Sequence, residues 1–305
     1  MKNLLIILIL FLSVSTRLPA QNQNLKVISY NIWNGFDWGK DTERETSMVD
    51  WLRDQEADII GLQELNAFTQ EKLEQLAQQW GHPYAILLKE EGYPIGITSN
   101  TPLELKSKIL GGLWHGMVHV KTRGIDFLVV HLSPHDWQFR RKEAEIITSY
   151  AQGVLLDNQQ EKFMILGDFN AHSPFDTHFD GQNPLALKRN QESDSLRLEE
   201  KGPTAYQTLR NGALDYSVMS RFLSLPMIDV VQLHHLEVNK SSYPTPLITP
   251  EMSPEQRKKS RKRIDYILVS PYFESRCTGA KIINNGPPDQ LSDHYPVMAT
   301  FQINE

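Results

Sequence analysis

The chain has 305 residues, 40% of them hydrophobic and 22% charged, with 17 glycines and 17 prolines. That is a globular composition and excludes a wholly disordered or collagen-like chain. A formal net charge of −6 excludes a protein that coats nucleic acid by bulk positive charge, so any polyanion must be met by local positive charge or by a metal.

At the N-terminus, Met1-Lys2-Asn3 supplies a positive start, Leu4 to Val14 is apolar apart from Ser13, and Leu18-Pro19-Ala20 ends in a small residue before Gln21. The run is shorter than the roughly 20 apolar residues of a spanning helix. It reads as a secretory signal over residues 1–20, with a mature domain, residues 21–305, that is secreted or periplasmic and has no transmembrane anchor. Removing the signal takes away Lys2 and Arg17 and no acid, leaving 29 basic against 37 acidic residues, a net −8. Cys277 is the single cysteine, which excludes an intrachain disulfide and any multi-cysteine zinc or iron–sulfur site.

Along the mature chain, strand character recurs at Leu25–Tyr30, Asp58–Leu62, Ala85–Leu88, Met117–Val120, Asp126–His131, Phe163–Leu166, Ile264–Val269 and Val297–Phe301. Between these runs, helical spacing of apolar residues marks Arg44–Arg53, Phe68–Trp80 and Arg140–Leu156. Strands interleaved with helices predict one α/β domain with sheets between helical layers. Two stretches, Ala171–Thr208 and Asn239–Arg263, break the rhythm and read as long loops. Gly111-Gly112-Leu113-Trp114 reads as a buried turn.

Polar residues interrupt or end several apolar strands. Ile165-Leu166-Gly167-Asp168-Phe169-Asn170 presents Asp168 and Asn170 on one side of a strand end, where an acid can take a proton from water and an amide can orient it. An Asp/Asn turn is the bland alternative. Asp265 lies inside the apolar run Arg263–Leu268, where an unpaired carboxylate costs several kcal/mol. It needs a partner, and the imidazole of Ser292-Asp293-His294 is a suitable one. Glu64, Asn31 and His131 end three further apolar runs. Each alone is a strand cap, but so many acids, amides and histidines at strand ends exceed what capping explains.

Tyr30-Asn31, Gln63-Glu64, His131, Gly167-Asp168-Phe169-Asn170, Arg263-Ile264-Asp265-Tyr266 and Ser292-Asp293-His294 stand in the order found in the endonuclease/exonuclease/phosphatase superfamily, and the chain resembles it over residues 30 to 294. The resemblance implies a deoxyribonuclease I-like fold, a two-sheet β-sandwich flanked by helices, whose strand ends form one metal-dependent phosphoesterase site. It implies Glu64 and Asp293 as metal ligands, Asp168 as the group that activates water, and Asn170 and Asn31 as amides positioning nucleophile and phosphate. It further implies Asp265 orienting His294, His294 meeting the phosphoryl oxygens, and His131 near the leaving group. Some relatives carry an acid two residues after the first Asn; Trp33 stands there, which excludes metal coordination through that position. Carboxylate ligands without cysteine favour Mg²⁺ or Mn²⁺.

Arg140, at a helix start, and Arg261, within the basic run Arg257–Arg263, are expected to reach substrate phosphates; His135 and Asp136 are expected to line the cleft. The remaining histidines, His82, His115, His119, His172, His178, His234 and His235, read as structural or surface residues. The expected protein is a monomeric, nuclease-like phosphodiesterase acting on nucleic acid or an anionic lipid headgroup. A phospholipid or inositol-phosphate phosphoesterase, and a catalytically inert binding module, are the alternatives.

Overall fold

The computed structural model describes residues 22–157, 161–234 and 240–304. The expected signal, residues 1–20, and His235 lie outside the described residues. Chain order gives β1 (Asn22–Asn31), β2 (Ile59–Gln63), β3 (Tyr84–Leu87), β4 (Gly96–Ser99), β5 (Glu104–Ile109) and β6 (Met117–Thr122). Then follow β7 (Ile125–His131), β8 (Phe163–Asp168), β9 (Ile228–Asp229), β10 (Asp265–Val269), β11 (Cys277–Ile282) and β12 (Val297–Asn304).

These strands form two six-stranded sheets, ordered β11-β12-β1-β2-β4-β3 and β5-β6-β7-β8-β10-β9. Both are mixed: β1 and β2 run parallel, as do β7 and β8, and the other pairs are antiparallel. The continuous apolar runs of the sequence follow from burial on both faces, because successive side chains point to opposite sides of a sheet. Val27, Ile59, Val129, Leu166 and Ile267 fill the layer between the sheets. Their neighbours Ile28 and Ile60 pack instead against Met48, Leu52, Leu73 and Leu76 of the helices Thr42–Gln55 and Gln70–Gln79. On the other side Leu128, Ile165 and Leu268 pack against Ala144 and Ile147 of the helix Trp137–Asp157 and Phe222 of the helix Ser217–Ser224. The result is the two-sheet sandwich flanked by helices that the resemblance implied.

The two stretches expected to be loops carry helix. Ala171–Thr208 contains the helix Pro184–Lys201, which has no apolar stripe: its buried residues are Ala186 and Asp194. Asp194 holds it down instead, its carboxylate accepting the Thr208 N–H at 2.9 Å and the Leu209 N–H at 2.9 Å. Asn239–Arg263 contains the short helix Pro254–Lys259, started by a Ser253–Gln256 capping box.

The basic run is divided by this architecture. Arg257 donates to the Thr249 and Met252 carbonyls, and Lys259 pairs with Glu255 at 2.8 Å. Arg263 is fully buried and clasps two carboxylates, Nε to Asp176 Oδ2 at 2.5 Å and its terminal nitrogens to Asp229 at 3.1 and 2.5 Å. It thereby ties β10 to β9 and to the segment after β8. Removing one partner of a buried ion pair strands the other and costs roughly 3–5 kcal/mol. Arg263→Met is therefore expected to lower unfolding free energy by about that amount in chemical denaturation.

Gly167 marks the closest approach in the second sheet. Its φ is +152°, and a Cβ there would lie 1.9 Å from the Val130 carbonyl oxygen of β7. A backbone atom cannot yield as a side-chain tip can. Gly167→Ala is expected to destabilise by about 3 kcal/mol or more, a large single-site effect, with Gly61→Ala milder because its added Cβ meets side-chain atoms of Leu166 and Val129. Urea denaturation of both variants checks the order.

Candidate active site

Strand register brings the polar strand ends to one edge of both sheets. Asn31 pairs with Gln63 in the parallel β1–β2 ladder, so Glu64 leaves β2 beside Asn31. His131 pairs with Asp168 across β7–β8, and Asp265 pairs with Asp168 across β8–β10. The segment before β12 is pinned to the same edge by Ser292, whose hydroxyl donates to the Asn31 carbonyl at 2.6 Å and accepts from the His294 N–H at 3.2 Å.

Asp168 lies at the centre. Its Oδ2 accepts from Asn31 Nδ2 at 3.2 Å and stands 3.4 Å from His131 Nε2 and 3.8 Å from His294 Nε2; its Oδ1 accepts from the Asn170 N–H at 2.8 Å. The same Asn31 amide donates to Glu64 Oε1 at 3.1 Å, while Glu64 Oε2 accepts from the Asn34 N–H at 2.8 Å. Asn31 is thus committed to positioning two carboxylates, and its Oδ1 accepts from the Trp33 N–H. Asp265 Oδ2 lies 2.8 Å from His294 Nδ1, and its buried Oδ1 has no hydrogen-bond partner among the described residues. Asn170 Nδ2 donates to the Leu132 carbonyl at 3.0 Å. Glu64 and Asn170 both hold left-handed backbone, φ +60° and +46°, the local strain typical of functional positions.

The charges sort themselves by neighbour. Burial opposes ionisation of Asp168, but His294 and His131 outweigh it and hold the carboxyl below its ordinary value. Burial likewise opposes the His294 cation, yet Asp265, Asp293 and Asp168 hold it well above the ordinary imidazole range. His131 is raised in the same way: burial lowers it, and Asp168 more than restores it. Asp293 is pushed up to about 7 by burial, with Glu64 and Asp168 adding to the rise against His294. Glu64, Asp168 and Asp293 therefore crowd like charges into one cleft, which is the environment a hard divalent cation relieves. Asp168, Asp265 and His294 also bring ligand atoms within 4.8 Å of one another, although His294 Nδ1 and Asp265 face each other.

The cleft over these groups has a volume of about 370 Å³. His135 lines it as expected, whereas Asp136 caps the helix Trp137–Asp157 by accepting from the Phe139 N–H. Its aromatic wall was not legible in the sequence. Trp33, Tyr93 and Trp114 line it, and Trp114 is 40% exposed, so the turn Gly111–Trp114 is not buried. His115, expected to be structural, stacks on His131 with ring centroids 4.0 Å apart. Glu143 supports this wall, accepting the Trp114 and Ser133 N–H groups at 2.7 and 2.8 Å. Tyr243 lies 5.1 Å from the His294 ring. None of these carries a motif; only the fold brings them together.

Both expected phosphate-binding arginines stand elsewhere. Arg140 is buried and donates to the Ser133 and Thr208 carbonyls at 3.0 and 2.7 Å; it lines a smaller neighbouring cavity rather than the cleft. Arg261 is half-buried towards Tyr295 and Arg257 and lines neither cavity. From the basic run, Lys262 is the residue on the cleft wall.

Solved structures with this fold include an AP endonuclease from Archaeoglobus fulgidus, 18% identical with a TM-score of 0.67, covering 92% of this chain and 100% of that one. A 3′ phosphatase from Neisseria bound to product DNA hairpin is 19% identical with a TM-score of 0.63, covering 91% of this chain and 99% of that one. A Bacteroides thetaiotaomicron protein of the endonuclease/exonuclease/phosphatase family is 16% identical with a TM-score of 0.58, covering 93% of this chain and 100% of that one. No curated protein sequence matches the chain. The family model for the endonuclease/exonuclease/phosphatase family matches residues 28–294, from β1 through the Asp293-His294 pair, and the chain belongs to that family.

Proposed function

We propose that this protein is an exported, divalent-metal-dependent phosphoesterase that hydrolyses phosphate esters of nucleic-acid strands by attack of water. The observation that carries this reading is the placing of Asp168 between His131 and His294, joined through the Asn31 amide to Glu64. Such an acid can take a proton from water. The nature of the neighbours, an AP endonuclease and a 3′ phosphatase on DNA, supports a nucleic-acid substrate.

In this reading Glu64 and Asp293 would hold Mg²⁺ or Mn²⁺, which supplies positive charge to the phosphoryl oxygens and the leaving oxygen. Asn170 orients the water on the Asp168 side. Protonated His294, kept charged by Asp265, donates from Nε2 towards the phosphoryl oxygens as negative charge develops there. His131, the second raised imidazole, is suited to give a proton to the leaving oxygen. The signal over residues 1–20 carries the export part of the proposal.

A second reading, hydrolysis of an inositol or lipid phosphate, is favoured by one observation: three of the six cations of the basic run, Arg257, Lys259 and Arg263, are committed internally and leave a polymer backbone no continuous track. A panel of DNA, RNA, sphingomyelin, phosphoinositides and simple phosphomonoesters, with and without Mg²⁺, decides between them. EDTA is expected to abolish turnover and Mg²⁺ or Mn²⁺ to restore it; full activity in chelated protein would reject the metal. Asp168→Ala is expected to lower kcat at least about 10²-fold with the fold intact by circular dichroism.

The Asp265–His294 contact generates a further expectation. Groups that act as a unit are non-additive, so Asp265→Asn combined with His294→Ala should be little slower than His294→Ala alone. Steady-state kcat for the four proteins of the cycle measures this, and fully multiplicative losses would separate the two residues.

A further inference from the structure

The hydrolytic residues leave one feature unused. The smaller cavity, about 80 Å³, adjoins the cleft and shares Pro134, Asn170, Lys262 and Ile264 with it. Arg140 and Asn190 stand on its far wall. Its volume suits a group the size of a phosphate.

Among the described residues neither cation there touches a carboxylate, although Glu143, Asp215, Asp136 and Asp168 act on Arg140 from further off. Lys262 Nζ donates to Asn190 Oδ1 at 3.2 Å and lies 5.5 Å from the centroid of the Tyr243 ring, and neither partner is charged. Arg140 spends its terminal nitrogens on two carbonyls. Burial, then Arg140 and the exposed Arg189, push the Lys262 ammonium down to about 8, against a weaker opposing pull from Asp168 and Asp180. The acid on the cavity wall, Asp215, is already taken up by the Ser217 hydroxyl at 2.9 and 2.7 Å and by Arg210 at 3.8 Å. Two cations and two amides thus line a polar hole of phosphate size that shares four wall residues with the cleft.

We propose that this cavity is a second anion subsite that takes a phosphate adjoining the one being hydrolysed, with Lys262 and Arg140 supplying the charge and the Asn170 and Asn190 amides the hydrogen bonds. The substrate class is then a phosphate ester bearing a further phosphate. The assignment of that further phosphate to a substrate rests on the phosphoesterase reading above; the anion site itself does not.

The test has two arms. In the first, sulfate is titrated into the full mature chain in EDTA by calorimetry, which requires no turnover. Lys262→Gln is expected to weaken sulfate binding at least about tenfold, the loss of one charge-assisted hydrogen bond, and Lys262→Arg to retain most of it. Asn190→Ala, which removes the amide that Lys262 bonds, should weaken it less. Equal sulfate affinity in wild type and both Lys262→Gln and Asn190→Ala would overturn the subsite, whatever the protein hydrolyses.

In the second arm, kcat/KM is compared for pairs that differ by a single phosphate: dTpdT against pdTpdT, and an inositol monophosphate against an inositol bisphosphate. The Lys262→Gln loss should be about tenfold larger for the member with two phosphates, and the pair affected identifies which source supplies the anion. Equal losses on both members would overturn the substrate assignment. No turnover of any pair would reject the phosphoesterase reading and leave the sulfate result to decide the site.

Discussion

A single buried carboxylate couples the two sheets. Asp168 is 1% exposed at the end of β8 in one sheet, and the Asn31 amide that bonds it ends β1 in the other. An unpaired ion at that depth would cost several kcal/mol, so its surroundings cannot vary freely. His131 from β7, His294 from the segment before β12 and the Asn170 N–H must all stand where they do, or the charge is stranded. Gly167 lets β8 run against β7 at the step before Asp168, and the apolar layer of Val27, Ile59, Val129 and Leu166 fixes the spacing of the sheets. Dense interiors transmit displacement rather than absorb it. Packing far below the cleft therefore holds the acid, the two imidazoles and Glu64 in register before any substrate arrives.

The first sheet supplies its part at a conformational cost. Residues Trp33, Asn34, Phe36, Asp37 and Trp38 all have positive φ, as does Gly35 between them. For residues with a Cβ the left-handed region costs roughly 1–2 kcal/mol each. Arg44 offsets this from the following helix: its guanidinium donates to the Ile32, Trp33 and Leu291 carbonyls and lies over the Trp33 and Phe36 rings at 5.0 and 5.1 Å. The reward is positional. The strained segment aims the Asn34 N–H at Glu64 and sets Trp33 on the cleft wall. The Leu291 carbonyl bond connects the same arginine to the segment that carries Asp293 and His294.

What the sequence made legible was whatever two-faced burial or a misplaced charge writes into local residue order. Apolar runs located β1, β2, β7, β8 and β10 because both faces of these strands are covered. Asp265 announced itself as an acid in such a run. Strands without that signature were silent: β5 alternates Glu104, Lys106 and Lys108 on an exposed sheet edge, and β4 is the four residues Gly96–Ser99. The helix Pro184–Lys201 hid because it is held by one carboxylate rather than an apolar stripe. His115 and Trp114 hid for another reason. Trp114 is held by Glu143, 29 residues on, and His115 by the His131 ring, contacts that no local pattern encodes. The dense basic run misled because a row of charges in sequence splits, once folded, between helix, core and cleft.

That split bears on how an acidic chain meets an anionic ligand. Salt screens charge over about 8 Å at physiological ionic strength, so the formal −6 of the whole chain acts weakly on a phosphate already at the cleft. The groups within a few ångströms decide, and there the balance is mixed by design of the fold. The imidazoles of His131 and His294 are both raised by the acids beside them, and Lys262 lines the same cleft. Arg263, also of the basic run, is buried against Asp176 and Asp229, which answer its charge. Its role is to fix the start of β10, and through it the position of Asp265 beside the His294 imidazole. Positive charge at the reacting phosphate is thus placed on imidazoles paired with acids rather than on lysine and arginine in bulk, within a cleft that Glu64, Asp168 and Asp293 crowd with carboxylates.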